Sequence, residues 1–128
     1  MTDCRLELKP GVRLAMLTPR MVLAAEIVRS QYGLAGIPVC TITTASDGKH
    51  ATVPPSRHYV GDALDFRTNI WFGGWKSPVS ERVHDLSELR AKIMDALGGP
   101  SSDFVVFLES VGTENEHLHV QFSPKEPY

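Results

Sequence analysis

Two short stretches of this 128-residue chain concentrate the residue types that handle metals and protons. One is Ser56-Arg57-His58-Tyr59-Val60-Gly61-Asp62-Ala63-Leu64-Asp65, and the other is Glu116-His117-Leu118-His119-Val120-Gln121-Phe122. Together they hold three of the five histidines, an aspartate seven residues after the first, and a glutamate three residues before the last. Imidazole and carboxylate are ordinary ligands of a catalytic zinc, which takes three protein ligands and keeps a fourth position open. The expected set is His58, Asp65 and His119 around one Zn2+ per chain. Glu116 and His117 then stand beside it as proton-handling groups.

The electrostatics of that set suit hydrolysis. Two neutral imidazoles and one carboxylate around a divalent ion leave a net charge of +1 (+2 − 1), and such an ion acidifies water and polarises a carbonyl. A neighbouring carboxylate or imidazole can accept the proton and pass it to a leaving amine. Elsewhere the chain offers no G-x-S-x-G elbow, no phosphate-cradling glycine loop and no thiol placed with a histidine.

These residues need elements to position them. In residues 117–122, strand alternation puts His117, His119 and Gln121 on one face and Leu118, Val120 and Phe122 on the other. A face with two histidines and a glutamine is costly beside a core unless those groups are paired or bind something. Glu116 lies at the turn, where its carboxylate can fold back toward a metal on His119. Asp103 to Glu109 reads as a buried strand and the hairpin partner of His117 to Phe122. Ala63 to Phe66 enters a further strand with Asp65 facing the site, and Pro38 to Thr44 is β-branched and alternating.

Two helices complete the pattern. Thr18-Pro19 predicts a helix start with Thr18 capping, and Met21, Ala24, Ala25, Val28 and Tyr32 recur at helical spacing toward a left-handed cap at Gly33. Asp85 and Glu88 resemble a capping box for a second helix that buries Leu86, Leu89, Ile93 and Leu97 and ends at Gly98-Gly99-Pro100. Residues 67–80, with Trp71 and Trp75, read as a long loop. Residues 1–17 form an irregular or partly extended N-terminal arm. The expected architecture is α+β, a small antiparallel sheet with two main helices in one domain over residues 1–128.

The bulk properties narrow the partners. A net charge of −2, with no basic run, gives no electrostatic reason to expect nucleic acid or an anionic membrane. The first residues lack the basic-then-apolar pattern of a secretory signal, and no apolar run approaches a membrane span. The expectation is a chain without membrane insertion. The chain is expected to be cytoplasmic as made. Cys4 and Cys40, far apart and in no C-x-x-C arrangement, read as two unpaired thiols. Composition says nothing of oligomeric state.

The spacing Ser-x-His-x-x-Gly-x-Ala-x-Asp at Ser56, His58, Gly61, Ala63 and Asp65, followed by Glu-x-x-His and His-x-His, resembles a known family. It is similar to the zinc D-Ala-D-Ala carboxypeptidases and L-alanyl-D-glutamate endopeptidases, which share the hedgehog/DD-peptidase fold and serve several phages as lysins. The resemblance covers about residues 36–122. It implies zinc on His58, Asp65 and His119, a proton acceptor at Glu116 or His117, and peptidoglycan stem peptides as substrate. Many members bind substrate through an arginine after the strand preceding the motif. Here residues 44–50 contain none, and Lys49 or Ser46 would have to substitute. Ser56, Lys49 and Gln121 are the expected substrate-binding residues.

Two other readings stay open. One is a non-catalytic zinc-containing module on the same fold, binding cell wall or belonging to a virion. The other follows from His117-Leu118-His119-Val120-Gln121, which also resembles the histidine-triad nucleotide hydrolases, although it leaves Ser56 to Asp65 unexplained.

Overall fold

The computed structural model describes residues 4–14, 17–45, 62–68 and 86–124. Pro19 opens helix α1 (Pro19–Leu34), where its missing N–H costs nothing because the first turn has no intrahelical acceptor for it. Thr18 takes the extended N-cap conformation, but its hydroxyl does not cap the helix. Instead Thr18 Oγ1 donates to Asp62 Oδ1 at 2.8 Å, so the expected local cap becomes a long-range tie. The helix also runs past Gly33, which is buried within it. The left-handed residue is Gly36 (φ 85°), and the Gly36 and Ile37 amides donate back to Gly33 and Tyr32 carbonyls, satisfying the helix end.

Helix α2 (Leu86–Ala96) buries Leu86, Leu89 and Ile93, as its spacing predicts, with Leu97 buried just beyond. Its C-terminus closes in the same way, through Gly98 (φ 115°) and bonds from Gly98 and Gly99 back to Asp95 and Met94. Asp85, the expected cap, lies outside the described residues, as do Trp71 and Trp75.

Five strands form one sheet: β1 (Arg5–Leu8), β2 (Val39–Thr44), β3 (Ala63–Arg67), β4 (Phe104–Glu109) and β5 (His117–Phe122). Their spatial order is β1-β2-β3-β5-β4. The α+β class holds, with a mostly antiparallel sheet, because β1 pairs parallel to β2. The arm expected to be irregular or partly extended contains an edge strand, joined by Arg5 N–H to Pro38 O and Lys9 N–H to Ile42 O. All four β1 residues are exposed, so no burial pattern marks the strand in sequence.

Both helices lie on one face, α1 over β2, β3 and β5, α2 over β4, and the two touch each other. Leu64 and Phe66 of β3, Val106 of β4, and Leu118 and Val120 of β5 are fully buried there beside Met21, Val28, Tyr32 and Ile93. Each such side chain contributes about 1.5–3 kcal/mol by leaving water. β4 departs from the expected buried strand. It is the sheet edge, only Val106 is fully buried, and Phe107 is 44% exposed. Its nearly unbroken apolar run concealed that alternation.

Candidate metal centre

The other face of the sheet carries the polar residues. Register across β3, β5 and β4 sets three rows: Arg67–His117–Glu109, Asp65–His119–Phe107 and Ala63–Gln121–Val105. The burial of β5 alternates as predicted, with Leu118, Val120 and Phe122 buried and His117, His119 and Gln121 less so. A register shift in β2 between Ile42 and Thr44 lies opposite Asp65, and such bulges are common where a strand re-aims a side chain.

Asp65 and His119 are direct cross-strand partners, with Nδ1 of the imidazole 2.8 Å from Oδ1 of the carboxylate. Both side chains are only 12% exposed. The other ring nitrogen, Nε2, is 2.8 Å from Gln121 Oε1. Burial opposes the imidazolium form of His119. The hydrogen bonds to Asp65 and Gln121, with the charges of Asp65 and Glu109, outweigh burial and push its pKa up. The Phe107 ring stacks on the imidazole at 6.0 Å.

Glu109 completes the cluster. Its Oε1 lies 3.5 Å from His119 Nδ1 and 3.6 Å from His117 Nε2. His117 Nε2 is also 3.7 Å from Asp65 Oδ1, and its Nδ1 is 2.6 Å from the Asn115 carbonyl. Each carboxylate therefore sits against both imidazoles. Asp65, Glu109 and His119 bring one ligand atom each within 4.8 Å of one another, a grouping that could hold a metal ion. The donor set is nitrogen and oxygen, the kind zinc accepts.

Glu116 stands apart from this group. Its carboxylate is buried, accepting the Thr68 hydroxyl at 2.8 Å and the Gly112 amide at 2.9 Å. These two bonds anchor the β4–β5 loop to the end of β3. Burial pushes the pKa of the Tyr32 phenol well up, with Cys40, Cys4 and, last, Glu116 adding to it. Of the expected metal ligands, the fold brings Asp65 and His119 together, while His58 lies outside the described residues. Ser56 and Lys49, expected to bind substrate, lie outside them too, and Gln121 is on the site face holding His119.

Glu109 is the residue that sequence reasoning missed. Pairing β4 with β5 symmetrically about the intervening loop would have set it opposite His117, as the register does. Treating β4 as buried throughout hid that signal.

Compared with known protein families, curated proteins and solved structures, the chain matches none of them. No helix among the described residues is long and apolar enough to cross a membrane.

Proposed function

We propose that the chain is a zinc-dependent peptidase of the D-Ala-D-Ala carboxypeptidase and L-alanyl-D-glutamate endopeptidase kind, with the hedgehog/DD-peptidase fold, cutting peptidoglycan stem peptides. The observation that carries the reading is the Asp65–His119 pair, 2.8 Å apart on neighbouring strands, with a second carboxylate beside it. Both residues belong to the two stretches whose spacing resembles that family. His58 is the further ligand implied by the same motif.

Asp65 and His119, with His58, would hold the zinc ion, and the chemistry it would supply there is Lewis acidity toward a carbonyl and toward water. The chain's own groups do the rest. Gln121 orients the His119 ring, as outer partners of a ligating histidine do. His117, with Nε2 between the carboxylates of Asp65 and Glu109, is placed to hold a proton and return it to a leaving amine. Glu116 is engaged by Thr68 and Gly112, which favours His117 for that task. The histidine-triad alternative leaves the Ser56 to Asp65 stretch unexplained and gives Asp65 and Glu109 no role.

The test is zinc per chain by elemental analysis of untagged protein, followed by digestion of muropeptides. One zinc, lost in His119→Ala, with peptide cleavage by the wild type and loss of cleavage in His117→Ala, supports the peptidase. Zinc without cleavage leaves the non-catalytic module, and a chain that takes up no zinc overturns the reading.

A further inference from the structure

Among the described residues, the carboxylate nearest His119 after Asp65 comes from outside both motif stretches. Glu109 is the last residue of β4, directly opposite His117 and on the face that carries Phe107 and His119. Its side chain is 48% exposed, so burial does not force its position. A glutamate on an edge strand ordinarily extends into water, where it is best solvated. This one turns inward, with Oε1 3.5 Å from His119 Nδ1 and 3.6 Å from His117 Nε2.

The backbone that follows is built to keep it there. Ser110 is the one non-glycine residue with positive φ (54°) among the described residues. That conformation costs a side-chain-bearing residue energy and persists where the surroundings impose it. The Ser110 carbonyl accepts both the amide and the hydroxyl of Thr113. Two residues on, the Gly112 amide donates to the buried Glu116 carboxylate, itself fastened to Thr68 beyond the end of β3. The loop is thereby tied to the sheet at its far end, and its two flanking residues, Glu109 and His117, meet across the ladder.

We infer that Glu109 is a protein donor of the metal site, alongside Asp65 and His119. The inference rests on the metal-binding part of the proposed function and adds a ligand that the motif resemblance does not contain. It also changes the electrostatics. Two carboxylates and one imidazole balance a divalent ion (+2 − 2 = 0), in place of the net +1 expected from His58, Asp65 and His119.

The experiment measures zinc affinity of the metal-stripped full chain by competition with a chromophoric chelator, independent of catalysis. The variants are Glu109→Gln, Glu109→Asp and His119→Ala, with Glu88→Gln on the exposed face of α2 as a charge-matched control. The expected result is a loss of affinity of at least about tenfold in Glu109→Gln, on the scale of removing a group that shapes a metal site. Glu109→Asp, which keeps the charge but withdraws the oxygens, is also weakened, and Glu88→Gln binds like the wild type. Circular dichroism checks that each variant is folded. Affinity in Glu109→Gln within twofold of wild type overturns the inference while leaving the site standing if His119→Ala still loses zinc. Wild-type affinity in Glu109→Asp beside a weakened Glu109→Gln also overturns it, because charge alone would then be acting. A wild type that takes up no zinc removes the metal site itself and the inference with it.

Discussion

Asp65 and His119 face each other across the β3–β5 ladder, Oδ1 2.8 Å from Nδ1, although 54 residues separate them in the chain. The pairing stands on the face of the sheet away from the two helices, while Leu64, Phe66, Leu118 and Val120 next to it fill the core beneath them. A metal bound here would engage groups that exist together only in the folded state, so its binding would be linked to stability. Zinc at about a hundredfold excess over its dissociation constant is expected to add about 2.7 kcal/mol. Thermal melts should rise with zinc and fall back with a chelator, and His119→Ala should show neither change.

Glu116 predicts the opposite separation. Its carboxylate is 2% exposed and accepts two hydrogen bonds, from Thr68 and Gly112. An amide at this position keeps one acceptor oxygen and sets an N–H group against a donor. Glu116→Gln is expected to cost about 1.5–3 kcal/mol of stability, read as a lower denaturant midpoint with an unchanged slope. Zinc should still bind the folded variant. Complete loss of zinc from a folded Glu116→Gln chain would contradict this assignment.

Asp62 is the tie between α1 and the start of β3. Arg20 donates to both of its oxygens at 2.9 and 3.0 Å, Thr18 donates to Oδ1, and the Arg20 guanidinium covers the Phe122 ring at 4.0 Å. Asp62 is largely buried, while Arg20 is 43% exposed, and solvent screening keeps the ion pair's own contribution modest. Asp62→Ala is expected to cost about 2 kcal/mol, chiefly from lost charge-assisted hydrogen bonds. A change below about 0.5 kcal/mol in chemical denaturation would count against the tie.

Ser110 offers a stabilising change. At φ 54° a β-branched residue is strained and glycine is not. The bonds to Thr113 use the Ser110 backbone carbonyl, so they survive substitution. Ser110→Gly is expected to leave stability unchanged or raise it by about 0.5 kcal/mol, and Ser110→Val to lower it by about 1–2 kcal/mol. Equal melting temperatures for the two variants would refute the strain.

Cys4 and Cys40 are buried and unpaired, as their spacing suggested. Burial pushes the Cys40 thiol pKa far up, helped by the nearby Cys4 and opposed by Arg29, and burial also raises that of Cys4. A thiol whose pKa is raised by folding keeps its proton in the native state after the unfolded chain has lost it. Stability is therefore unaffected below the unfolded thiol value, near 8.5, and declines as pH rises above it. The midpoint of unfolding should fall between pH 8 and 10, and a thiol reagent at pH 8 should react slowly until denaturant is added. Rapid reaction of both thiols in the native protein would show that they are not buried.

Much of the fold was legible because its signals are local. Helix α1 begins at Thr18-Pro19, α2 ends at Gly98, and the face of β5 alternates, all from preferences of a few consecutive residues. The misses share a cause. The parallel pairing of β1 with β2, the edge position of β4 and the cap at Gly36 depend on neighbours distant in sequence or on how far a helix is carried by packing. Asp65 and His119 were legible as a pair through their motifs, whereas Glu109 stood in an apolar strand with no motif around it.

The chain by itself determined that His117, His119 and Gln121 share a face, because alternation belongs to a strand's own backbone. Only the tertiary structure decided which residues look at that face. Burial of Leu64, Phe66, Val106, Leu118 and Val120 under the helices places β5 between β3 and β4 and turns their polar sides outward together. A shift of one residue in either ladder would turn Asp65 or Glu109 into the core, where an ionised carboxylate is far too costly to leave unpaired. The hydrophobic face therefore sets the register, and the register sets the cluster.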